Sequence, residues 1–304
     1  PAAQPLDLSN PQALGQNLQA RFELARGLTA TRNAPFLPLT SEEVTSLKGA
    51  LDKTPTPQKS AYFGSLFQAT GGDFEGYKGI MGQLAKDDPV TAEAGLHAGR
   101  AHDLATAGIQ VDAGQSRYVS DLILQGQAAL RPKRTEDGSP DKGKLWPMPE
   151  MKKMEQQFAN YERDAYAGKP QQRNAEFQTA QTIYAGLSIQ AGDSTGILDG
   201  TRWDQATKLA TGGIERWNGK TVVMPWGMAR GDFKDNLYRR IDDVADSGRL
   251  AQGMDASKLR DMPLESIGDG RYLFRAGDGL LVDKDKKPII IDFSQSAAFR
   301  SSGS

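Results

Sequence analysis

Through the first two-thirds of the chain, apolar residues recur at helical spacing. Leu14, Leu18, Phe22 and Ala25 fall three or four apart, behind an Asn10-Pro11 pair that reads as an N-cap with proline at the first helical position. Thr40 followed by Glu43 has the spacing of a capping box, and Val44, Leu47 and Leu51 supply the apolar stripe behind it. Tyr62, Phe63, Leu66 and Phe67 line the next predicted helix, which Gly71-Gly72 ends. Asp73 caps another, carrying Phe74, Tyr77, Met81 and Leu84. A further helix starts at Asp88-Pro89 and runs toward Arg100, and Tyr118, Val119, Leu122 and Ile123 mark one more. Short helices joined by tight turns predict an antiparallel bundle.

The pattern lapses at "RPKRTEDGSPDKGKLWPMPE", which is polar, rich in Pro and Gly, and aperiodic. Helical spacing resumes with Met151, Met154, Phe158, Tyr161 and Ala165. It continues from about Pro170 to Gln190 with Phe177, Ile183, Tyr184 and Leu187, and again with Trp203, Ala206, Leu209 and Ala210. The period then changes. "IERWNGKTVVMP" reads as two strands around Asn218-Gly219, because a type I′ turn needs positive φ at both central residues. Phe233, Leu237, Ile241 and Val244 predict a last long helix. The tail that follows holds several short strands punctuated by Gly268-Asp269-Gly270, Gly277-Asp278-Gly279 and the segment from Asp283 to Lys287. The expected fold is α+β, mostly α. Residues 1–134 form a helical domain and 135–148 a linker or long loop. Residues 149–304 form an α+β domain with a hairpin near 214–225 and a β-meander over 263–293.

Composition narrows the chemistry. The chain has 304 residues, a formal net charge of −1 and no cysteine, so no disulfide, thiolate nucleophile or Cys-ligated zinc is expected. No overall basic field is present to hold nucleic acid. No apolar run approaches the roughly 20 residues that span a bilayer, so stable membrane insertion is not expected. The chain opens on Pro1, which reads as a piece of a longer polypeptide.

Reactive motifs are missing from the sequence. His97 and His102 are spaced wrongly for a helical metal pair despite Asp103 nearby, and read as surface or helix-end residues. Asp283, Asp285 and Asp292 lack the glycine and glutamate of a calcium loop, and Lys284, Lys286 and Lys287 would repel a cation. The glycines of "GDGRYLFRAGDG" sit in predicted turns rather than before a helix, which is no phosphate cradle. The terminal "SSGS" has no strand-turn-helix context for a serine nucleophile. Glu265-Ser266 matches the catalytic-acid pair of lytic transglycosylases in letters but lies between predicted strands. Catalytic, cofactor and metal residues are therefore expected to be none. Trp217 and Trp226 have two readings: struts packing the hairpin onto neighbouring helices, or a ledge for a glycan or protein partner.

One resemblance covers most of the chain. "ATGGIERWNGKTVVMPWGMARGDFKDNLYRRI" and "GDGRYLFRAGDGLLVDKDKKPIIIDF" resemble the C-terminal region of large tailed-phage virion proteins. These are internal-virion, ejection or tail-lysin proteins that often carry a lytic transglycosylase domain upstream. "AYFGSLFQATGG", "GQLAKDDPVTAEAGLHAG" and "DLILQGQAAL" resemble the helical part of that family. The resemblance implies a structural or accessory module that folds in the host cytoplasm, resides in the virion and is delivered toward the periplasm at infection. Its implied partners are other virion proteins, with peptidoglycan or DNA met during ejection. The alternative is a peptidoglycan-cleaving enzyme, but no residue here carries the family's transglycosylase motif.

Overall fold

The computed structural model describes residues 6, 14–32, 35–106, 113–131, 145–268, 270–277 and 279–293. The expected Asn10-Pro11 cap, most of the 135–148 linker, Asp269, Asp278 and the terminal serines lie outside them. The fold is α+β and mostly α: about 60% helical, with eleven helices among the described residues and small antiparallel sheets in the C-terminal third. The chain divides into two compact units. One comprises residues 1–103, 112–147 and 182–195, and the other 104–111, 148–181 and 196–304.

The first unit is built from α1 (Gly15–Arg32), α2 (Ser41–Lys53), α3 (Thr56–Ala69), α4 (Phe74–Leu84), most of α5 (Pro89–Thr106), α6 (Ala113–Leu130) and the second half of α8 (Pro170–Gln190). Most of the residues read from sequence as stripes turn inward: Leu18, Phe22, Leu47, Phe63, Leu66, Met81, Leu84, Val119, Leu122 and Ile123 are all buried, whereas Tyr118 is exposed. Thr40 and Glu43 form the expected capping box at α2, and Asp73 caps α4 through the Gly76 N–H. Gly126 of α6 and Gly186 of α8 lie where the helices touch backbone to backbone. A Cβ on Gly126 would sit 1.9 Å from the Thr182 carbonyl oxygen, and one on Gly186 would sit 2.4 Å from that of Leu122.

The second unit opens with α7 (Met151–Glu162), which ends three residues before the predicted Ala165. Arg163 takes φ 50°, a left-handed conformation that terminates the helix and turns Ala165 and Tyr166 into the interior. The first half of α8 and α9 (Gly200–Thr211) follow, with Phe158, Phe177 and Trp203 meeting edge to face. Strands β1 (Ile214–Trp217) and β2 (Lys220–Val223) form the expected hairpin, and Asn218 and Gly219 both have positive φ. Helices α10 (Arg230–Asp246) and α11 (Ala256–Arg260) precede the second sheet.

That sheet contains β3 (Leu264–Gly268), β4 (Arg271–Ala276), β5 (Gly279–Leu280) and β6 (Ile290–Asp292). It departs from a simple meander, because β6 pairs with β4. The first limb of the last hairpin leaves β4 after Leu281. The chain reverses at Asp283, whose carboxylate accepts from the Asp285 and Lys287 N–H groups, and the returning limb takes over the same edge of β4. A core of Val222, Phe233, Leu237, Ile241, Leu264, Tyr272, Phe274, Ile291 and Phe293 joins the two sheets to α10.

Candidate functional site

Strand alternation decides what the hairpin shows to solvent. In β1, Glu215 and Trp217 point inward and Arg216 points out. Trp217 is 5% exposed, and its indole N–H donates to the Met262 carbonyl at 3.0 Å. Trp226 is 7% exposed and donates to the Leu209 carbonyl at 2.7 Å. Gly212, at φ 82°, lets the Trp226 backbone approach the end of α9, where a Cβ would meet the Trp226 Cα at 2.6 Å. Both indoles therefore act as struts inside the second unit, and neither lies open as a ledge.

A cleft of about 570 Å³ lies between the hairpin, α10 and α11. The turn residue Asn218 closes one side. Its amide donates to the Arg260 carbonyl at 2.5 Å and the Met262 carbonyl at 2.9 Å, tying the hairpin to the end of α11. Lys234, Tyr238 and Asp242 recur four apart along one face of α10. Tyr238, 41% exposed, meets the Trp217 ring at 5.7 Å, and the Arg260 guanidinium lies 5.2 Å from the centre of the Tyr238 ring. Arg260 also pairs with Asp242. Lys234 is 3.3 Å from buried Glu215, which Arg230 also contacts. Burial would raise the Glu215 carboxyl, but hydrogen bonds from Arg230 and Lys234 outweigh it and hold the group below the usual range. Arg216, Ser257 and Asp261 complete the lining and are exposed.

Glu265 is met by cations. Arg275 Nε donates to it at 2.6 Å and Lys169 Nζ is 3.8 Å away, while Lys169 also donates to the Ser266 carbonyl. Burial lowers the Lys169 ammonium, and Glu265 draws it back up in part. Glu162 is buried against Arg173, which also holds Glu155. Burial raises the Glu162 carboxyl, and the Arg173 guanidinium opposes that. Both arrangements brace one element against another.

His97 corrects its sequence reading. Helix α5 continues to Thr106, which places His97 mid-helix and 0% exposed rather than at a surface or helix end. Its Nε2 is 3.2 Å from Glu93. Burial pushes the imidazole below its ordinary value. The side chains of His102 and Asp103 lie outside the described residues. No group of three or more metal-ligating side chains is found among the described residues, and Asp283 serves its own turn. Among the described residues, no helix is long and apolar enough to cross a membrane.

Sequence reasoning found the hairpin and missed the cleft. The spacing of Lys234, Tyr238 and Asp242 was a usable signal for one wall. Nothing local linked that wall to Arg260, which arrives through the tertiary fold. Set against protein-family models, curated proteins and solved structures, the chain matches none.

Proposed function

We propose that the chain is a non-enzymatic structural or accessory module of a bacteriophage virion protein, working through protein contacts during DNA ejection or envelope penetration. The resemblance of its aromatic and glycine-rich phrases to tailed-phage virion proteins supplies the family expectation. One structural observation supports the contact role: the conspicuous polar groups are spent on holding the fold. Both hairpin indoles donate to main-chain carbonyls, and Glu265 is held by Arg275 and Lys169. A transglycosylase acid must instead reach the glycosidic oxygen of a bound glycan.

On this reading the protein folds in the host cytoplasm and resides in the virion, beside other virion proteins. Peptidoglycan or DNA is met in passage. Incubation with purified peptidoglycan is expected to release no anhydro-muropeptides. Their release by the 304-residue chain, and its loss in Glu265→Gln, would overturn the reading in favour of a muralytic enzyme. Antibody raised against the chain is expected to label purified phage particles.

A further inference from the structure

Of the chain's asparagines, only Asn218 is followed by glycine. The pair is chemically labile as well as a good turn. Glycine has no side chain to shield its main-chain nitrogen, so the Gly219 nitrogen can attack Cγ of the Asn218 amide. Both residues are exposed, and a Cβ on Gly219 would meet nothing within 4 Å, so water has free access. The steps need no reagent besides water. A bond forms between Gly219 N and Asn218 Cγ, the Cγ–Nδ2 bond breaks, and ammonia leaves with the proton from Gly219. Water then opens the resulting succinimide ring at either carbonyl. The product is aspartate or, with the main chain rerouted through the side chain, isoaspartate.

The fold opposes the first step in two ways. Asn218 and Gly219 have φ of 44° and 84°, the left-handed pair of a type I′ turn. Such a turn holds ψ of its first central residue small and positive. The ring fixes that angle at a large negative value, so the turn must open before the ring can close. The amide is also tethered: Nδ2 donates to the Arg260 carbonyl at 2.5 Å and to the Met262 carbonyl at 2.9 Å. Those contacts cannot be remade afterwards. A carboxylate has no hydrogen to donate, and it would face two carbonyl oxygens. Isoaspartate further adds a methylene to the main chain between Trp217 and Lys220, the closing pair of the hairpin. We propose that Asn218 is a site of spontaneous deamidation, guarded by the folded turn, and that its conversion releases the β1–β2 hairpin from the end of α11.

The test is to hold the 304-residue chain in mildly alkaline buffer, with and without concentrated urea. The peptide containing Asn218 is followed by mass spectrometry that resolves aspartate from isoaspartate. Conversion is expected in urea and should be slower by about ten-fold or more in native buffer, because the reactive conformation is reached only through local opening. Asn218→Asp suits the positive φ of the turn and mimics one product. In that variant the amides of β1 and β2 should exchange hydrogen several-fold faster than in the parent, while those of α8 should not change. The chain converted in urea and then refolded should show the same loosened hairpin, which keeps the release measurable if the variant folds poorly. Equal conversion with and without urea would overturn the proposal. So would absence of conversion in urea, or hairpin exchange that stays at the parent's rate in both Asn218→Asp and the refolded product.

Discussion

The two units bury carboxylates in opposite ways. In the first, Asp88 sits at the start of α5 and accepts from the Thr91 N–H and hydroxyl, the Gln127 amide and both Arg131 guanidinium nitrogens. Glu43 accepts from the Leu6 and Thr40 N–H groups and from Arg21. In both, burial alone would raise the carboxyl, and the surrounding hydrogen bonds hold it below the usual range. In the second unit, Glu215 is just as buried, but its closing partner Arg230 has a side chain 70% exposed. Asp88 and Glu43 are satisfied largely by donors fixed by the backbone and by packed side chains. Glu215 is covered instead by long side chains that water and salt can reach.

The sharpest contrast comes from the glycines. Gly126→Val is expected to cost the first unit about 3 kcal/mol or more, since the Thr182 carbonyl cannot retreat without moving a helix. Gly212→Ala in the second unit should cost about 2 kcal/mol, from its positive φ and the close Trp226 backbone. Urea midpoints at unchanged slope would check both. Equal, small losses would mean that the helix contact is looser than described.

The carboxylates come next. Asp88→Ala should destabilise by about 2 to 3 kcal/mol, because it strands Gln127 and Thr91 as well as a guanidinium. Glu215→Ala should cost about 1 kcal/mol after allowance for its exposed partners. In 1 M salt the Glu215 cost should shrink further while that of Asp88 holds, since surface pairs are screened over about 3 Å there.

Acidification should separate the units by onset. The buried His97 imidazole lies below its ordinary value of 6.5, so the unfolded chain binds a proton that the folded one refuses. Its contribution is full above about pH 6.5 and is lost as the pH falls below that value. Asp88, Glu43 and Glu215, all held low, add losses only further into acid. Glu162, raised by burial, works the other way: its ionised form is disfavoured in the fold, so acid relieves a cost. The first unit should therefore begin to weaken near pH 6, and His97→Gln should flatten its stability between about pH 6.5 and 5. Hydrogen exchange followed unit by unit would read this.

The indoles should cost about as much as Glu215. Trp226→Phe and Trp217→Phe each remove one N–H donor to a carbonyl while keeping a ring, and each should cost about 1 to 2 kcal/mol by thermal melt.

What the sequence made readable follows the same divide. Caps and stripes are local, so Thr40 with Glu43, Asp73, and the run from Leu14 to Ala25 could be read directly. The Asn218-Gly219 turn was equally legible, because its φ requirement is confined to two residues. Arg163 was not: nothing in its neighbours announces a left-handed residue, and the apolar spacing ran on to Ala165. The route of β6 was also hidden, since which limb of a hairpin takes an edge depends on partners far along the chain. The cleft was illegible for that reason. Its walls come from three separate segments, and only the α10 wall has a period.

Gly126 and Gly186 have one more consequence. Helices that touch through bare backbone mesh like gear teeth with a single matching position. Sliding α6 along α8 by one turn would bring Leu122 or Leu130, which share the face of Gly126, into the place of the glycine, so shear between them has no easy stop. Under load, this seam should stay locked until it fails outright, and the unit should give way elsewhere first.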